Sequence, residues 1–258
     1  MRIAVIGTGI SGMTSAYLLS EDHEVVVYEA NNYIGGHTNT VDVSINGQQY
    51  AVDTGFIVFN EKTYPNFVKL MQRLGVGWQN SLMSFSVQCE KTGLEFSPST
   101  LNSLFIQRRN ILRPSFYRML WDVTRFKRDS EGLLESDDYQ MTLADFLKGK
   151  GYSQSFVQHF IIPMGEAVWS ADPVKFNDFP ARYFAQFFKN HGFLNVKDQP
   201  QWLTVKGRSR QYIKPLTQPY VDQIRLNCPV ASVRRRPDHV EIQAQNPLPG
   251  KSGGAALR

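Results

Sequence analysis

Apolar positions follow strand spacing at both ends of the chain and helix spacing in between. Two short apolar runs, residues 2–6 and 24–28, predict buried parallel strands, with a helix from Met13 to about Ser20 between them. Residues 39–59 alternate polar and apolar around Asn46-Gly47, which predicts a β-hairpin. The order strand, helix, strand at the N-terminus is typical of an α/β fold.

Helical patterns dominate the middle of the chain, from Leu101 to about Phe193. A helix is also predicted over 65–74, ended by Gly75, and a second hairpin over 85–96. Strand patterns return at 201–207 and between 224 and 242, where residues 224–233 read as one strand paired with 240–242. A short helix is expected between these strands, over residues 209–216.

Composition is ordinary for a soluble globular protein, with 42% hydrophobic and 20% charged residues among 258. No apolar run is long enough to span a membrane, and no signal peptide is evident. Cys89 and Cys228 are far apart and lack metal-ligand spacing, so we expect reduced, packed thiols and no metal site. These features favour a cytoplasmic protein.

The positive charge is concentrated in residues 107–128, which hold seven bases and one acid, a net of +6 against +5 for the whole chain. Apolar residues recur there at helical spacing, giving one apolar face: Phe116, Met119, Leu120, Val123 and Phe126. One interpretation is a helix that docks on an anionic membrane surface or guides an acidic lipid. The other is a helix with its apolar face in the core and a solvated basic face. Nucleic-acid binding is not expected, because no recognised module accompanies the charge.

The first strand is followed at once by the motif Gly7-Thr8-Gly9-Ile10-Ser11-Gly12. In such a motif Gly7 permits a tight turn, Gly9 allows the backbone to approach a pyrophosphate, and Gly12 allows close helix packing. The free N–H groups at the helix start, including those of Ile10 and Ser11, attract phosphate. Glu29 ends the next strand, where its carboxylate can accept hydrogen bonds from ribose hydroxyls. Together these residues predict a bound dinucleotide.

A second glycine pair, Gly35-Gly36, follows the ribose-binding acid. It gives another close backbone approach to the cofactor, which a plain nicotinamide-binding unit does not need. The pair therefore favours FAD over a nicotinamide cofactor.

The stretch from the first strand through Glu29-Ala30 to Gly35-Gly36 resembles the flavoprotein superfamily of monoamine oxidase, protoporphyrinogen oxidase and phytoene desaturase. More narrowly, residues 52–67 resemble bacterial predicted FAD-dependent oxidoreductases of uncharacterised substrate. The resemblance implies that Gly55 and Phe56 meet the flavin ring and that the backbone of Val230 meets the adenine. It also places His37 and Thr38 near the cofactor, with His37 where the family usually has arginine, and Gly207-Arg208 where it often has two glycines.

The resemblance implies a Rossmann-like FAD/NAD(P)-binding domain formed by residues 1–60 and 202–243. Residues 61–201 would form an inserted, mainly helical substrate (cap) domain, and residues 244–258, with two prolines and three glycines, an irregular tail. Full-length members of the superfamily continue beyond this point. We therefore expect a C-terminally shortened form, with a flavin pocket open on one side.

These features predict an FAD-dependent oxidoreductase of the amine-oxidase type, acting on a small amine or lipid-like substrate. Two alternatives stay open: an NAD(P)-dependent dehydrogenase, and a non-catalytic nucleotide- or lipid-binding remnant in peripheral contact with a membrane. No catalytic residue is predicted. Tyr64 and Lys206 are expected near the flavin in packing or phosphate roles, and His159 is expected to be a core histidine with a hydrogen-bond partner.

Overall fold

A computed structural model describes residues 1–169, 175–192, 200–245 and 255–257. The chain divides into two compact units. The first unit combines Met1–Ser81 with Trp202–Arg258, and the second is Leu82–Gln201. Each unit has its own hydrophobic core.

The N-terminal part of the first unit alternates strands and helices as predicted. Its elements are β1 (Arg2–Ile6), α1 (Ile10–Leu19), β2 (Glu24–Tyr28), β3 (Thr40–Ile45), β4 (Gln48–Asp53), α2 (Pro65–Arg73) and β5 (Trp78–Ser81). β1 and β2 pair in parallel, with Arg2 opposite Glu24 and Ile6 opposite Tyr28. Four consecutive residues of β2 are buried, as expected for a strand covered on both faces. This β1–α1–β2 unit is Rossmann-like.

The predicted hairpin at Asn46-Gly47 is confirmed. β3 and β4 pair in antiparallel fashion from Thr40 opposite Asp53 to Ile45 opposite Gln48. Asn46 and Gly47 both have positive φ, 52° and 80°, which a type I′ turn requires. Gly75, at φ 66°, follows α2 and ends it where the sequence predicted.

The second unit begins with a hairpin and is otherwise helical within the described residues. Its strands are β6 (Val87–Cys89) and β7 (Leu94–Phe96); its α-helices are α3 (Leu101–Leu104), α4 (Pro114–Glu135), α5 (Leu143–Gly149), α6 (Gln154–Phe156), α7 (Ile162–Trp169) and α8 (Ala181–Asn190). Short 3₁₀ turns cover Arg108–Leu112 and Lys175–Asp178, and a π-helical turn covers Val157–Ile161. Thr142 caps α5, because its hydroxyl accepts a hydrogen bond from the backbone N–H of Asp145 (3.1 Å).

The basic segment is mostly α4, and its apolar face lies inside the second unit. Phe116, Met119 and Phe126 are buried in the core, and Leu120 and Val123 pack against it. That apolar face is therefore unavailable to a membrane and lies in the core, as in the second interpretation of the sequence. Membrane contact through the exposed side of this segment stays a prediction. No helix in the described part of the chain is both long enough and apolar enough to span a bilayer.

The chain then returns to the first unit. Its elements are β8 (Trp202–Val205), a 3₁₀ turn (Ser209–Tyr212), α9 (Ile213–Thr217), a 3₁₀ turn (Gln218–Gln223), β9 (Ile224–Arg225), β10 (Val230–Arg235), β11 (Val240–Ala244) and β12 (Ala255–Leu257). β9 joins β2 in parallel, giving the sheet order β1–β2–β9. β10, β11 and β12 form a separate antiparallel sheet.

Two sequence expectations about this region are wrong. Residues 224–233 do not form one strand, because the chain turns at Asn227 (φ 51°), so β9 and β10 belong to different sheets. The irregular tail expected over 244–258 is also contradicted in part, because Ala244 ends β11 and residues 255–257 pair with that strand. The part of the expected tail at 246–254 lies outside the described residues.

The expected domain boundary after residue 60 also differs from the observed division. Residues 61–81 lie with the first unit. Two contacts explain this: Met71 of α2 is buried in a core with Phe59 and Leu216, and β5 pairs with β8. The other expected boundary, before Trp202, agrees with the division.

Candidate nucleotide-binding site

The glycine motif forms the turn from β1 into α1. Gly7 has φ 91°, and its N–H donates to the carbonyl of Tyr28 on β2 (2.7 Å). The first hydrogen bond of the helix joins the N–H of Met13 to the carbonyl of Gly9 (2.9 Å). The N–H groups of Ile10, Ser11 and Gly12 precede this ladder, and no side chain among the described residues caps the helix. The helix start is therefore free to bind an anion.

Gly9 and Gly12 have different physical roles. A Cβ at Gly12 would lie 2.0 Å from the carbonyl oxygen of Gly7, so only glycine lets the helix pack this closely. A Cβ at Gly9 would meet no atom of the described residues within 4 Å. Gly9 has φ −63° and ψ 171°, which any residue can adopt. Gly12 is thus required by the fold, whereas the open space at Gly9 is free for a ligand.

Glu29, at the end of β2, is 6% exposed and is held by hydrogen bonds. Its Oε2 accepts from the backbone N–H of Thr8 (2.7 Å) and from the Thr8 hydroxyl (2.5 Å), and its Oε1 accepts from the backbone N–H of Asn31 (2.8 Å). Burial opposes ionisation of Glu29, but these bonds outweigh it, so the pKa of the carboxyl lies below its usual range. The carboxylate thereby fixes the glycine loop. The backbone N–H of Ala30 also lowers the pKa of this carboxyl.

The second glycine pair faces the first loop. Gly35 and Gly36 have φ 129° and 58°, and the N–H of Gly35 donates to the Thr8 hydroxyl (3.3 Å). A Cβ at Gly36 would lie 3.1 Å from the Cα of Gly9. The two glycine segments therefore approach each other through bare backbone.

These segments line a cavity of about 590 Å³ within the first unit. Of the predicted site residues, ten line it: Gly7, Gly9, Ile10, Ser11, Gly12, Gly35, Gly36, His37, Thr38 and Phe56. The remaining wall is mostly apolar and aromatic, from Ile6, Tyr64, Phe67 and Tyr212. The volume is in the range of small-molecule and cofactor sites.

Tyr212 is a buried aromatic residue that bridges two parts of the wall. Its hydroxyl hydrogen-bonds that of Thr38 (2.5 Å), and its ring packs edge-on against Phe67 with centroids 5.6 Å apart. Burial is the main cause that raises the pKa of Tyr212, as it raises that of Tyr64. Near Tyr212, the buried carboxylate of Asp53 accepts hydrogen bonds from the N–H (3.2 Å) and hydroxyl (2.9 Å) of Ser209. These bonds anchor the turn that carries Tyr212 to the end of β4.

Four predicted site residues do not line this cavity: Glu29, Ala30, Gly55 and Val230. Glu29 supports the glycine loop from behind, and Ala30 follows it on the surface. A Cβ at Gly55 would lie 2.1 Å from the carbonyl oxygen of His37, which accepts a hydrogen bond from the N–H of Phe56 (2.8 Å), so Gly55 permits close packing of two backbones. Val230 opens β10 and packs beside Val26 and Tyr28 of β2. Their predicted contacts with cofactor remain predictions.

The sequence also gave expectations for Tyr64, Lys206, His159 and the two cysteines, and these had different outcomes. Tyr64 lines the cavity, but the exposed Lys206 does not. His159 lies in the π-helical turn of the second unit, and its Nδ1 is buried without a partner among the described residues, so the expectation of a satisfied histidine is wrong. Burial is the main cause that lowers the pKa of His159, with the charge of Arg113 adding to it. Both cysteines are free thiols, as expected.

Sequence reasoning missed Ile6, Phe67 and Tyr212 as wall residues. Phe67 and Tyr212 come from segments far apart in sequence, and only the packing of α2 beside the Ser209–Tyr212 turn brings them together. One signal was available for Phe67, which ends the stretch 52–67 that resembles FAD-dependent oxidoreductases.

The residues present fit a dinucleotide. The uncapped start of α1 offers N–H groups to a pyrophosphate, and the open space at Gly9 admits it. The aromatic wall offers flat apolar surface to a ring system. Fixed glycine loops on one side and aromatic rings on the other suit a ligand with both a diphosphate and a large planar group.

Comparisons with known proteins agree with this geometry. The profile of the family described as flavin containing amine oxidoreductase matches residues 10–250. A 76-residue stretch is 36% identical to zeta-carotene desaturase from Synechocystis sp., covering 29% of this chain and 15% of that protein. A 40-residue stretch is 48% identical to 4,4'-diapophytoene desaturase from Staphylococcus aureus, covering 15% of this chain and 8% of that protein.

Solved structures share the fold over almost the whole chain. Cyclohexylamine oxidase from Brevibacterium oxydans superposes with a TM-score of 0.68 at 19% identity, covering 99% of this chain and 55% of that one. Wild-type putrescine oxidase bound to putrescine superposes with a TM-score of 0.64 at 17% identity, covering 95% and 55%. The chain thus spans about half the length of these two structures.

The family profile covers most of the chain, and the two glycine segments of this chain line one cavity. The protein belongs to the flavin-containing amine oxidoreductase family, and its cofactor is FAD.

Proposed function

We propose that the protein is an FAD-dependent oxidoreductase that acts on a small amine or lipid-like substrate, with the helical unit 82–201 as the substrate domain. The observation that carries this proposal is the single cavity lined by both glycine segments and by an aromatic wall. The relatives support the choice of substrate classes, since two are named as amine oxidases and two as carotenoid-pathway desaturases.

The glycine loops of this chain would hold the cofactor. The N–H groups of Ile10, Ser11 and Gly12 would bind the pyrophosphate, and the carboxylate of Glu29 would accept a hydrogen bond from a ribose hydroxyl. Glu29 also holds Thr8 in place, so one carboxylate would both shape the loop and contact the sugar.

The aromatic wall would orient the reacting groups and exclude water. When bound, FAD would supply the hydride-transfer chemistry for oxidation of a substrate C–H bond. Because burial raises the pKa of Tyr64 and Tyr212, both phenols stay protonated near neutral pH. They can therefore donate hydrogen bonds but do not act as bases there. The apolar faces of Phe56 and Phe67 complete a surface suited to an apolar substrate.

Anaerobic reduction of the FAD-loaded protein tests this function. The protein would be mixed with a panel of alkyl amines, diamines and polyenes while the flavin absorbance near its visible maximum is followed. We expect at least one class to bleach the flavin, with the identity of that class defining the substrate. If FAD binds at full occupancy and no member of the panel reduces it, the proposal of a functioning oxidase fails and a non-catalytic flavin-binding protein is the better description.

A further inference from the structure

The second unit exposes apolar and basic side chains together in one stretch. Residues 106–113 form a turn with sequence Ile-Gln-Arg-Arg-Asn-Ile-Leu-Arg, and α4 continues from it. Leu112 is 86% exposed and Trp121 is 62% exposed, and three further apolar or aromatic side chains are exposed nearby: Ile106, Ile111 and Tyr117. We call these five residues with Arg108, Arg109 and Arg113 the anchor patch.

The patch residues come from two adjoining segments, the 3₁₀ turn with its flanking residues and the first two turns of α4. Tyr117 and Trp121 are four residues apart on α4 and so lie on one face of the helix. Phe105, the neighbour of Ile106, packs its ring near that of Tyr117, with centroids 6.1 Å apart. Leu112 ends the 3₁₀ turn two residues before the start of α4. This surface is distinct from the buried face of α4.

The charge of the patch is positive and uncompensated among the described residues. Arg108 donates to the carbonyl of Phe105 (3.0 Å) and to the side-chain oxygen of Asn102 (2.6 Å). Arg109 donates to the carbonyl of Gly93 (2.6 Å), and Arg113 to the side-chain oxygen of Asn110 (3.4 Å). All four acceptors are neutral, so three full charges remain to attract anions.

The acid of the segment does not offset this charge at the surface. Asp122 is fully buried, where it accepts from the N–H of Ser153 (2.9 Å) and from Arg125 (3.1 Å). The charge of Asp122 is therefore paired with Arg125 inside the unit. The exposed charges of 106–128 are all basic.

We propose that the anchor patch docks the protein on an anionic phospholipid surface. The exposed aliphatic side chains insert at the level of the lipid headgroups. Tyr117 and Trp121 suit this interface because each aromatic ring has a polar edge. The three arginines pair with lipid phosphates and carboxylates. A scattered exposed leucine needs no explanation, but five apolar side chains interleaved with unpaired cations fit this partner. The inference is independent of the proposed flavin chemistry.

Vesicle co-sedimentation tests the proposal with the whole chain. We expect binding to phosphatidylcholine vesicles that contain about one-third phosphatidylserine, weak binding to pure phosphatidylcholine, and loss of binding as salt rises. The variant R108Q/R109Q should bind about 25-fold more weakly, since each base contributes about fivefold at such a surface. Leu112→Ser should weaken binding by at least about tenfold.

Matched controls lie on the first unit. R234Q/R235Q removes two adjacent exposed arginines from β10, and Ile45→Ser removes an exposed apolar side chain from β3. Both should bind vesicles as the wild type does. Equal losses in the control and patch variants would overturn the proposal, as would the absence of binding to anionic vesicles. If Leu112→Ser instead dissociates an oligomer in analytical ultracentrifugation without changing vesicle binding, the patch is a contact between copies and the proposal is wrong.

Discussion

The different roles of Gly9 and Gly12 can be separated by placing one methyl group at each position. At Gly9 the methyl meets no atom in the described part of the chain and the backbone already suits alanine, so the cofactor-free protein should not be destabilised. Loss of glycine's freedom in the unfolded chain should even add about 0.4–1 kcal/mol of stability. At Gly12 the methyl would lie 2.0 Å from the Gly7 oxygen, and relieving such overpacking costs about 1–3 kcal/mol.

These free energies translate into melting temperatures and affinities. For a chain of this size 1 kcal/mol shifts Tm by about 2–4 °C, so Gly9→Ala should raise the Tm of the flavin-free protein by about 1–4 °C and Gly12→Ala should lower it by about 2–12 °C. The methyl at Gly9 projects into the cavity where the pyrophosphate should lie, so FAD affinity should fall at least about tenfold, which corresponds to about 1.4 kcal/mol.

The assay is thermal unfolding of flavin-free protein, followed by fluorescence titration with FAD. The reasoning fails if Gly9→Ala binds FAD as tightly as the wild type. It also fails if Gly9→Ala destabilises the flavin-free protein as much as Gly12→Ala does.

Three further predictions concern stability. Arg208 has φ 82° and ψ 165°, a region that destabilises residues other than glycine by about 1–3 kcal/mol. Glycine has more conformational entropy in the unfolded chain, which lowers stability by about 0.5–1 kcal/mol. Arg208→Gly should therefore raise the free energy of unfolding, measured in urea, by about 1 kcal/mol. An unchanged or lower midpoint would show that the backbone there is not strained. Because the pKa of Glu29 is lowered in the fold, its contribution is complete above the unfolded value near 4.5 and is lost as pH falls through the lower folded value. The wild type should therefore lose stability more steeply below pH 4.5 than Glu29→Gln, and parallel pH profiles would contradict this. Asp122→Ala leaves Arg125 and the Ser153 N–H without their buried acceptor and should cost about 3 kcal/mol, whereas a loss within about 0.5 kcal/mol, as for a surface substitution, would refute that role.

Local patterns were enough to predict the nucleotide-binding half of the fold. The buried run of β2, the glycines around Gly9 and the Asn46-Gly47 turn each determine backbone conformation within a few residues, so sequence reasoning found them. The same reasoning separated the buried face of α4 from its exposed face but could not decide whether that buried face met a core or a membrane. Only the core packing of Phe116 and Phe126 decides it.

Features that depend on distant packing could not be predicted. β9 is only two residues long and pairs with β2. The chain turns at Asn227, two residues after this strand ends. Tyr212 enters the cavity wall because Asp53 anchors the preceding Ser209, a pairing of residues 156 positions apart. Glu29 was predicted to contact the ribose, but its observed hydrogen bonds hold Thr8. Sequence could not distinguish these roles, because an acid that binds ribose and an acid that fixes the loop occupy the same position after the strand.

The most direct test of the account is the cofactor that the purified chain retains or takes up. The central claim is that the cavity at the start of α1 binds FAD through bare backbone. We expect FAD, identified by mass after release, at about one per chain on titration, with NAD⁺ and NADP⁺ failing to compete. Tight binding of a nicotinamide cofactor, or no binding of FAD by protein that is shown to be folded, would contradict the claim.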